Sequence, residues 1–512
     1  MKMVEDTLYI KPSVKLVKAF ENPFKNVIAT ARTCYSSKGI VQDESVDLEK
    51  YASLAKSIYD AGHHTTLQHA TFQFQLSNVS RQFIWSFLHS HPFYNSEQVS
   101  QRYVEVKTGN YFVPPIKGDP LDIYLKTANM QLESYRRLTE LLMAPAADEY
   151  YKIFPNRRND KRFESEVKKK AQEVARYVLP VATFSYLYHT ISGLTLLRYY
   201  RMSESGDVPF EQRIVAGLMI EEVLRFDPNY QILLQKPLEE GFFAEHMSKE
   251  NTAPQSFFEK FEKELNGSTS KLIDYKPNGE TLVADAVREV LGMESSFLSD
   301  DEAIELAINP SKNRIFGDSL VLTMHDKLSR ALYHSSYTFK KKLSHTADSQ
   351  DQRHRTTPAS RPQITSHLRS EPDYITPQLI KCDSRAMKVY DETMQRIWDG
   401  IGALLKKGIR KEFAIYLLPN AFPIRFTESA DLLNLHHKLK MRLCYNAQEE
   451  IWRASVDEAL QISNVHPRLG KYLLPPCSVR QLAGVKPYCP EGKRYCGVPV
   501  WNLEVSKFSR LI

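Results

Sequence analysis

From Leu48 to Ala61 apolar residues recur at helical spacing, and Gly62 ends the run, which predicts a helix closed by glycine. Thr71 to Leu76 then alternates polar and apolar, the pattern of a half-buried strand. Residues 120–150 and 163–235 predict long helices, the second broken or kinked at Pro180. Residues 238–280 scatter Ser248, Thr252, Pro254, Asn266, Gly267, Ser268, Pro277 and Gly279 among charges and predict a linker. After it the pattern restarts. Ser336 to Phe339 is β-prone, 384–407 predicts a helix, Phe413 to Pro419 repeats the apolar run ending in Leu-Pro at Tyr177 to Pro180, and 432–462 is helical. The period is about half the chain, so the pattern is a domain duplication rather than a solenoid.

With 42% hydrophobic and 25% charged residues, the 512-residue chain reads as globular, and each half can bury its own core. No apolar run reaches membrane-spanning length, so no membrane partner is expected. Met1 to Pro12 mixes charges early and lacks an apolar core, so no signal peptide is expected and the cytoplasm is the expected compartment. The net charge of +7 fits an anionic substrate, a nucleic acid, or scattered solvated charge. No helix-turn-helix, zinc-finger or aromatic-basic pattern is present, which argues against nucleic acid.

Four segments can carry chemistry. Gly62-His63-His64-Thr65-Thr66-Leu67-Gln68-His69 sits between a helix and a strand, where its histidines suit a metal, a ligand or solvent. Gln98-Val99-Ser100-Gln101-Arg102-Tyr103 places a hydroxyl and a guanidinium in one turn, suited to an anionic oxygen cluster or to a surface loop. Gln350 to Arg355 places Arg353 and Arg355 on either side of His354. That donor cluster fits a phosphate, a flavin carbonyl, or a solvated basic turn. Arg442 precedes Ala447-Gln448-Glu449-Glu450-Ile451 and either points into a cleft or pairs with its own helix.

Taken in order, these pieces resemble the flavin-dependent thymidylate synthase (ThyX) family. The first half matches at Gly62 to His69, Ser100-Gln101-Arg102-Tyr103 and Ala175-Arg176-Tyr177-Val178-Leu179-Pro180. The second matches at His334, Phe339, Gln350, Arg353-His354-Arg355, Leu418-Pro419, Arg442 and Ala447-Gln448-x-Glu450-Ile451. The resemblance implies an α+β fold of two tandem ThyX-like domains, each a small, mostly antiparallel sheet flanked by long helices. The expected division is residues 1–237, a linker over 238–280, residues 281–465, and a cysteine-containing extension over 466–512.

The departures from the family pattern are complementary. The first half has His89-Ser90-His91 or a shifted version of it in place of Arg-His-Arg. It offers only Arg201, out of register, for the late arginine, and reads Phe210-Glu211-Gln212-Arg213-Ile214 near the final motif. The second half lacks Ser-x-Arg-Tyr, and Ala414-Ile415 stands where Ala-Arg is expected. In the family each site draws on several chains of a homotetramer, so the resemblance implies one surviving composite site, with a homodimer mimicking the tetramer.

The activity implied is reductive methylation of dUMP to dTMP, with FAD as cofactor and with NADPH and methylenetetrahydrofolate as co-substrates. The alternatives are a ThyX-fold flavoprotein acting on another pyrimidine nucleotide and a non-catalytic nucleotide-binding protein. Arg442 is the expected catalytic group. Gln98, Ser100, Arg102, Arg176, Gln350 and Arg353 are expected on dUMP. His63, Thr65, Arg353, His354, Arg355, Asp431 and His437 are expected on FAD. Separately, Cys477, Cys489 and Cys496 with His466 suggest a structural zinc, or else free thiols.

Overall fold

The computed structural model describes residues 10–158, 161–205, 208–239, 242 and 247–512. Part of Met1 to Pro12, on which the signal-peptide expectation rests, lies outside these residues. Numbering helices of seven residues or more, the first repeat runs β1 (Ser13–Ala19), α1 (Pro23–Thr33), α2 (Leu48–Asp60), β2 (Thr71–Ser80), α3 (Arg81–His89), β3 (Asn95–Gln98), α4 (Asp119–Ile153), α5 (Glu164–Ala175), β4 (Phe184–Ser192), α6 (Gly193–Arg201) and α7 (Phe210–Phe226). Helix α8 (Gln255–Leu265) follows. The second repeat runs β5 (Ser270–Tyr275), α9 (Gly279–Leu291), α10 (Asp300–Ile308), β6 (Ser336–Ser344), α11 (His345–Asp351), β7 (Ala359–Ser360), α12 (Ser384–Lys406), β8 (Pro423–Asp431), α13 (Leu432–Arg442) and α14 (Glu449–Val465), and α15 (Pro476–Leu482) comes last. The sheets have orders β1-β2-β4-β3 and β5-β6-β8-β7, with every pairing antiparallel. The α+β duplication is therefore present.

Two expectations change. The stretch 163–235 is not all helix, since β4 runs through its middle. Within 238–280, Gln255–Leu265 is a helix that Asn266 ends in a left-handed conformation (φ 49°), and Ser270–Tyr275 is the edge strand of the second sheet.

Matched positions fix the register between repeats. Ser80 and Ser344 each end a strand and cap the next helix, accepting from Phe83 N and Ala347 N. Each is gripped by a buried glutamate in the first turn of a later helix: Glu211 accepts from Ser80 N at 2.8 Å, and Glu450 accepts from Ser344 N and Oγ. Counting from the caps sets His89-Ser90-His91 on Arg353-His354-Arg355. Ser192 and Asp431 cap α6 and α13 in the same way, so Ser203, not Arg201, stands at the place of Arg442. Glu211 matches Glu450, which shifts the final motif two residues from its expected alignment.

The repeats join at the Leu-Pro segments. Val181 N donates to Leu418 O (2.8 Å), Ala182 N to Tyr416 O (3.0 Å), Asn420 N to Leu179 O (2.8 Å) and Ala421 N to Tyr177 O (2.9 Å). Tyr177 also donates to Glu450 across the join at 2.6 Å. Around this seam lies an apolar core that both repeats share, including α4 and α12. At their crossing a Cβ on Gly400 would collide with Thr127, so only glycine permits this approach.

Beneath each sheet the same five positions differ in kind. The second repeat buries Lys341, Asp351, Glu428, Lys438 and Glu458. Lys341 lies 2.8 Å from Glu458 and 3.2 Å from Asp351, and Lys438 lies 2.9 Å from Asp351 and also reaches Glu428. The first repeat places Leu76, Phe87, His189, Tyr199 and Met219 there. The His189 ring centroid lies 5.0 Å from that of Phe87 and 5.8 Å from that of Tyr199. Burial, with nearby His91, lowers the His189 imidazole to about 3. The unfolded chain binds that proton below pH 6.5 and the folded chain does not, so stability falls as pH drops from 6.5 toward 3. One such histidine costs about 3 kcal/mol by pH 4. Urea unfolding at pH 4.5 and 7.5 is expected to show a smaller difference for His189→Phe than for the parent, and an unchanged difference would disprove this account.

Candidate active site

The strand-to-helix turn at Ser80 aims Arg81 at the loop after β3. Its Nη1 donates to Gln98 Oε1 at 3.0 Å and its Nη2 to Val99 O at 2.6 Å. Burial and neighbouring Arg176 lower its guanidinium to about 9. Two residues beyond Ser100, whose Oγ accepts from Arg102 N, the Arg102 side chain crosses to the second repeat. Its Nε donates to Glu173 at 2.7 Å and its Nη2 to Asn446 O at 2.9 Å. Arg176, at the end of α5, is 4% exposed, and its Nη2 has no partner among the described residues.

Glu173 is the carboxylate at the centre. Burial pushes it up, yet Arg102, Lys170 and Arg176 outweigh burial and hold it at about 2. A fourth cation, Arg510, also feels Glu173, and burial lowers it to about 10. Arg510 takes the carbonyls of Tyr445 and Ala447, on either side of the Asn446 carbonyl that Arg102 takes. Arg102 touches Glu173 directly while Lys170, Arg176 and Arg510 act on it through space, with Glu166 and Glu449 opposing at the edge, and such a cationic cluster suits an incoming anion.

Arg442 faces the same place from α13. It is half-buried, its Nη2 donates to Gln350 O at 2.6 Å, and its Nε has no partner among the described residues. Burial lowers its pKa, Asp351 opposes this, and Arg102 of the first repeat and Arg353 add to it. His354 is half-buried near Arg442, and its Nε2 has no partner among the described residues. Its ring centroid lies 5.7 Å from that of His437, whose Nδ1 is also unpartnered. Burial and then Arg442 push His354 well below the usual range, so it is neutral.

Other expected residues sit differently. Arg353 pairs with Glu97 at 3.1 Å, and Arg355 donates to Pro92 O and Asn95 Oδ1. The Gln350 side chain turns back to Thr346 O on its own helix, leaving only its carbonyl toward Arg442. Asp431 accepts from Asn434 N and Nδ2 as a helix cap. His63 and Thr65 are exposed before β2, at the end of a strand about 30 Å long whose other end leads to Arg81. A cavity of about 320 Å³ at the base of that loop is lined by Gln68, Thr71 and Arg355 but not by His63 or Thr65.

His466 is not with the cysteines. Its Nδ1 meets Tyr337 Oη at 2.7 Å and its Nε2 meets Pro277 O at 3.3 Å under the second sheet. Cys477, Cys489 and Cys496 gather instead with Cys444 around a void of about 20 Å³. Among the described residues, no three histidine, cysteine or acidic side chains are arranged to hold a metal ion.

Sequence reasoning missed Arg81, Lys170, Glu173 and Arg510. Arg81 lies five residues beyond the alternation that ends at Leu76, at the end of β2, and no pattern in the sequence marks it. Arg510 lies in an extension that drew notice only for its thiols.

A duplicated α+β protein with a cluster of cationic side chains to which both repeats contribute is thus defined. The family model described as "Thymidylate synthase complementing protein" matches residues 15–229 and again 271–468, so the chain belongs to that family, twice over. It is 28% identical over 221 residues to the flavin-dependent thymidylate synthase of Clostridium tetani, covering 42% of this chain and 84% of that protein. It is 32% identical over 221 residues to that of Sulfolobus acidocaldarius, covering 41% and 78%. Among solved structures, the UMP/dUMP methylase PolB from Streptomyces cacaoi bound with 5-Br dUMP matches at 19% identity and a TM-score of 0.31, over 44% of this chain and 94% of that one. No helix among the described residues is long and apolar enough to cross a membrane.

Proposed function

We propose that the chain is a flavin-dependent thymidylate synthase that converts dUMP to dTMP with methylenetetrahydrofolate and NADPH, through one composite site per chain. The observation that carries this reading is the gathering of Arg102, Lys170, Arg176 and Arg510 around Glu173, with Arg442 alongside. Arg102 and Arg176, with Ser100 and Arg510, hold the nucleotide phosphate. Gln98, kept in place by Arg81, closes that side. Arg442 lies against the uracil edge, where a fixed positive charge favours negative charge growing on the base. The unpartnered nitrogens of His354, His437 and Arg442 fit the polar edge of a flavin ring, with Arg353 and Arg355 beyond them. When bound, the flavin supplies the hydride. NADPH oxidation and dTMP formation that require both dUMP and the folate are the test, and turnover without dUMP would refute the reading. Arg102→Ala is expected to weaken dUMP binding by about 1.5–3 kcal/mol in calorimetry, and unchanged affinity would remove its phosphate role.

Two further parts belong to this proposal. Two chains pair through the outer sheet faces, supported by the exposed Tyr186 (59%) and Tyr188 (49%). A monomer mass by light scattering would contradict pairing. Zinc, if held, takes Cys444 in place of His466, beside Cys477, Cys489 and Cys496. Metal analysis of the purified chain finding none would end that assignment.

A further inference from the structure

The correspondence between repeats assigns a second, mirrored cavity, lined by the counterparts of the composite-site residues. It has a volume of about 580 Å³, within the range for a small-molecule site, and is lined by residues at the matching positions. The ladder partners Ala359 to Glu428 and Ser96 to His189 are equivalent, so Thr365 stands where the first repeat has Arg102. Ile415 stands for Arg176, His89 for Arg353 and Ser203 for Arg442. The acidic position alone is kept, as Glu412 for Glu173, and it pairs with Lys249 at 2.7 Å.

The pocket has therefore lost its phosphate donors without filling in. Its remaining cations are committed or peripheral. Arg361 is held by Asp348 at 2.8 Å, and Arg198 is exposed. Burial and then Arg361 lower His89 to about 3, and burial and then Arg198 lower His91 to about 4, so both are neutral. Gln82, Gln212 and Thr365 are 3%, 2% and 5% exposed, and their side-chain oxygens have no partner among the described residues. Trp85 offers an aromatic wall whose Nε1 is fixed on Asp348 at 2.7 Å. Buried amides and a hydroxyl beside an aromatic face recognise a flat ring with its own donors and acceptors, since an unmet polar atom costs about 1–3 kcal/mol.

We propose that this mirrored cavity binds a neutral planar heterocycle with an amide edge, either a free pyrimidine nucleoside or a bare flavin-type ring, and not a nucleotide phosphate. The inference rests on the pairing of the repeats and deepens the reading above without depending on it. The test is calorimetric titration of the full chain, held in saturating dUMP, with thymidine and separately with lumiflavin. One saturable event per chain is expected for at least one ring, unchanged between low and high salt and no tighter for dTMP than for thymidine. Whichever ring binds names the source. Thr365→Val, which keeps the side-chain shape, and Gln212→Leu should each weaken it at least tenfold. Absence of saturation with both rings, indifference to both variants, or tighter binding of the phosphorylated form would overturn the proposal. Should dUMP itself fail to bind, the composite site is misread, while the mirrored cavity is still judged by the same ring titrations.

Discussion

Replacing Arg442 by alanine is expected to cut dTMP formation by about 10²–10³-fold at saturating substrates, the usual effect of losing one preorganised charge donor. The side chain is half-buried, and its Nη2 is anchored on Gln350 O at 2.6 Å, so its direction is set before substrate arrives. Asp351 offsets part of the burial cost, while Arg102 and Arg353 crowd it with like charge, so it is poised toward an anion rather than consumed by a partner. Lysine keeps the charge but not the planar fork, so Arg442→Lys is expected to recover little. Steady-state kinetics with circular dichroism as a folding control decides the matter. Activity within threefold of the parent would take Arg442 out of the chemistry.

Lys438→Met is expected to destabilise the chain by about 3–5 kcal/mol, because it leaves three buried carboxylates to Lys341 alone. Burial already raises Glu428, with the two lysines opposing, so part of the loss should be recovered at lower pH as that carboxyl takes up a proton. The matched change in the first repeat, Tyr199→Phe, removes one hydroxyl contact to His189 (3.3 Å) and should cost about 1 kcal/mol. Urea unfolding of the pair tests the contrast, and equal costs would show that the charged cluster contributes no more than its neutral counterpart.

The duplication was legible because it rests on long patterns. α2 and β2 matched their periodicity, and α4 and α12 matched their predicted spans within three residues. β4 escaped notice because Tyr186 and Tyr188, on its exposed face, are as apolar in sequence as its buried side, which erases the alternation. β5 escaped because its six residues follow Asn266-Gly267 and read as part of a turn-rich stretch. In the site, Arg102, Arg176 and Arg442 were legible as members of ordered motifs. Arg81, Glu173 and Arg510 were not, because their meaning lies in convergence across hundreds of residues. His466 was misassigned because spacing along the chain says nothing about which face of the fold a loop reaches.

That the two repeats meeting at Pro180 and Pro419 belong to one chain has an evolutionary consequence. Identical subunits must accept every substitution in all copies at once, so no protomer can give up an arginine that another still needs. Once both halves are encoded on a single polypeptide, a change can strike one half and spare the other. Covalent joining thus lets selection specialise the two pockets independently, a freedom that no symmetric assembly of one gene product possesses.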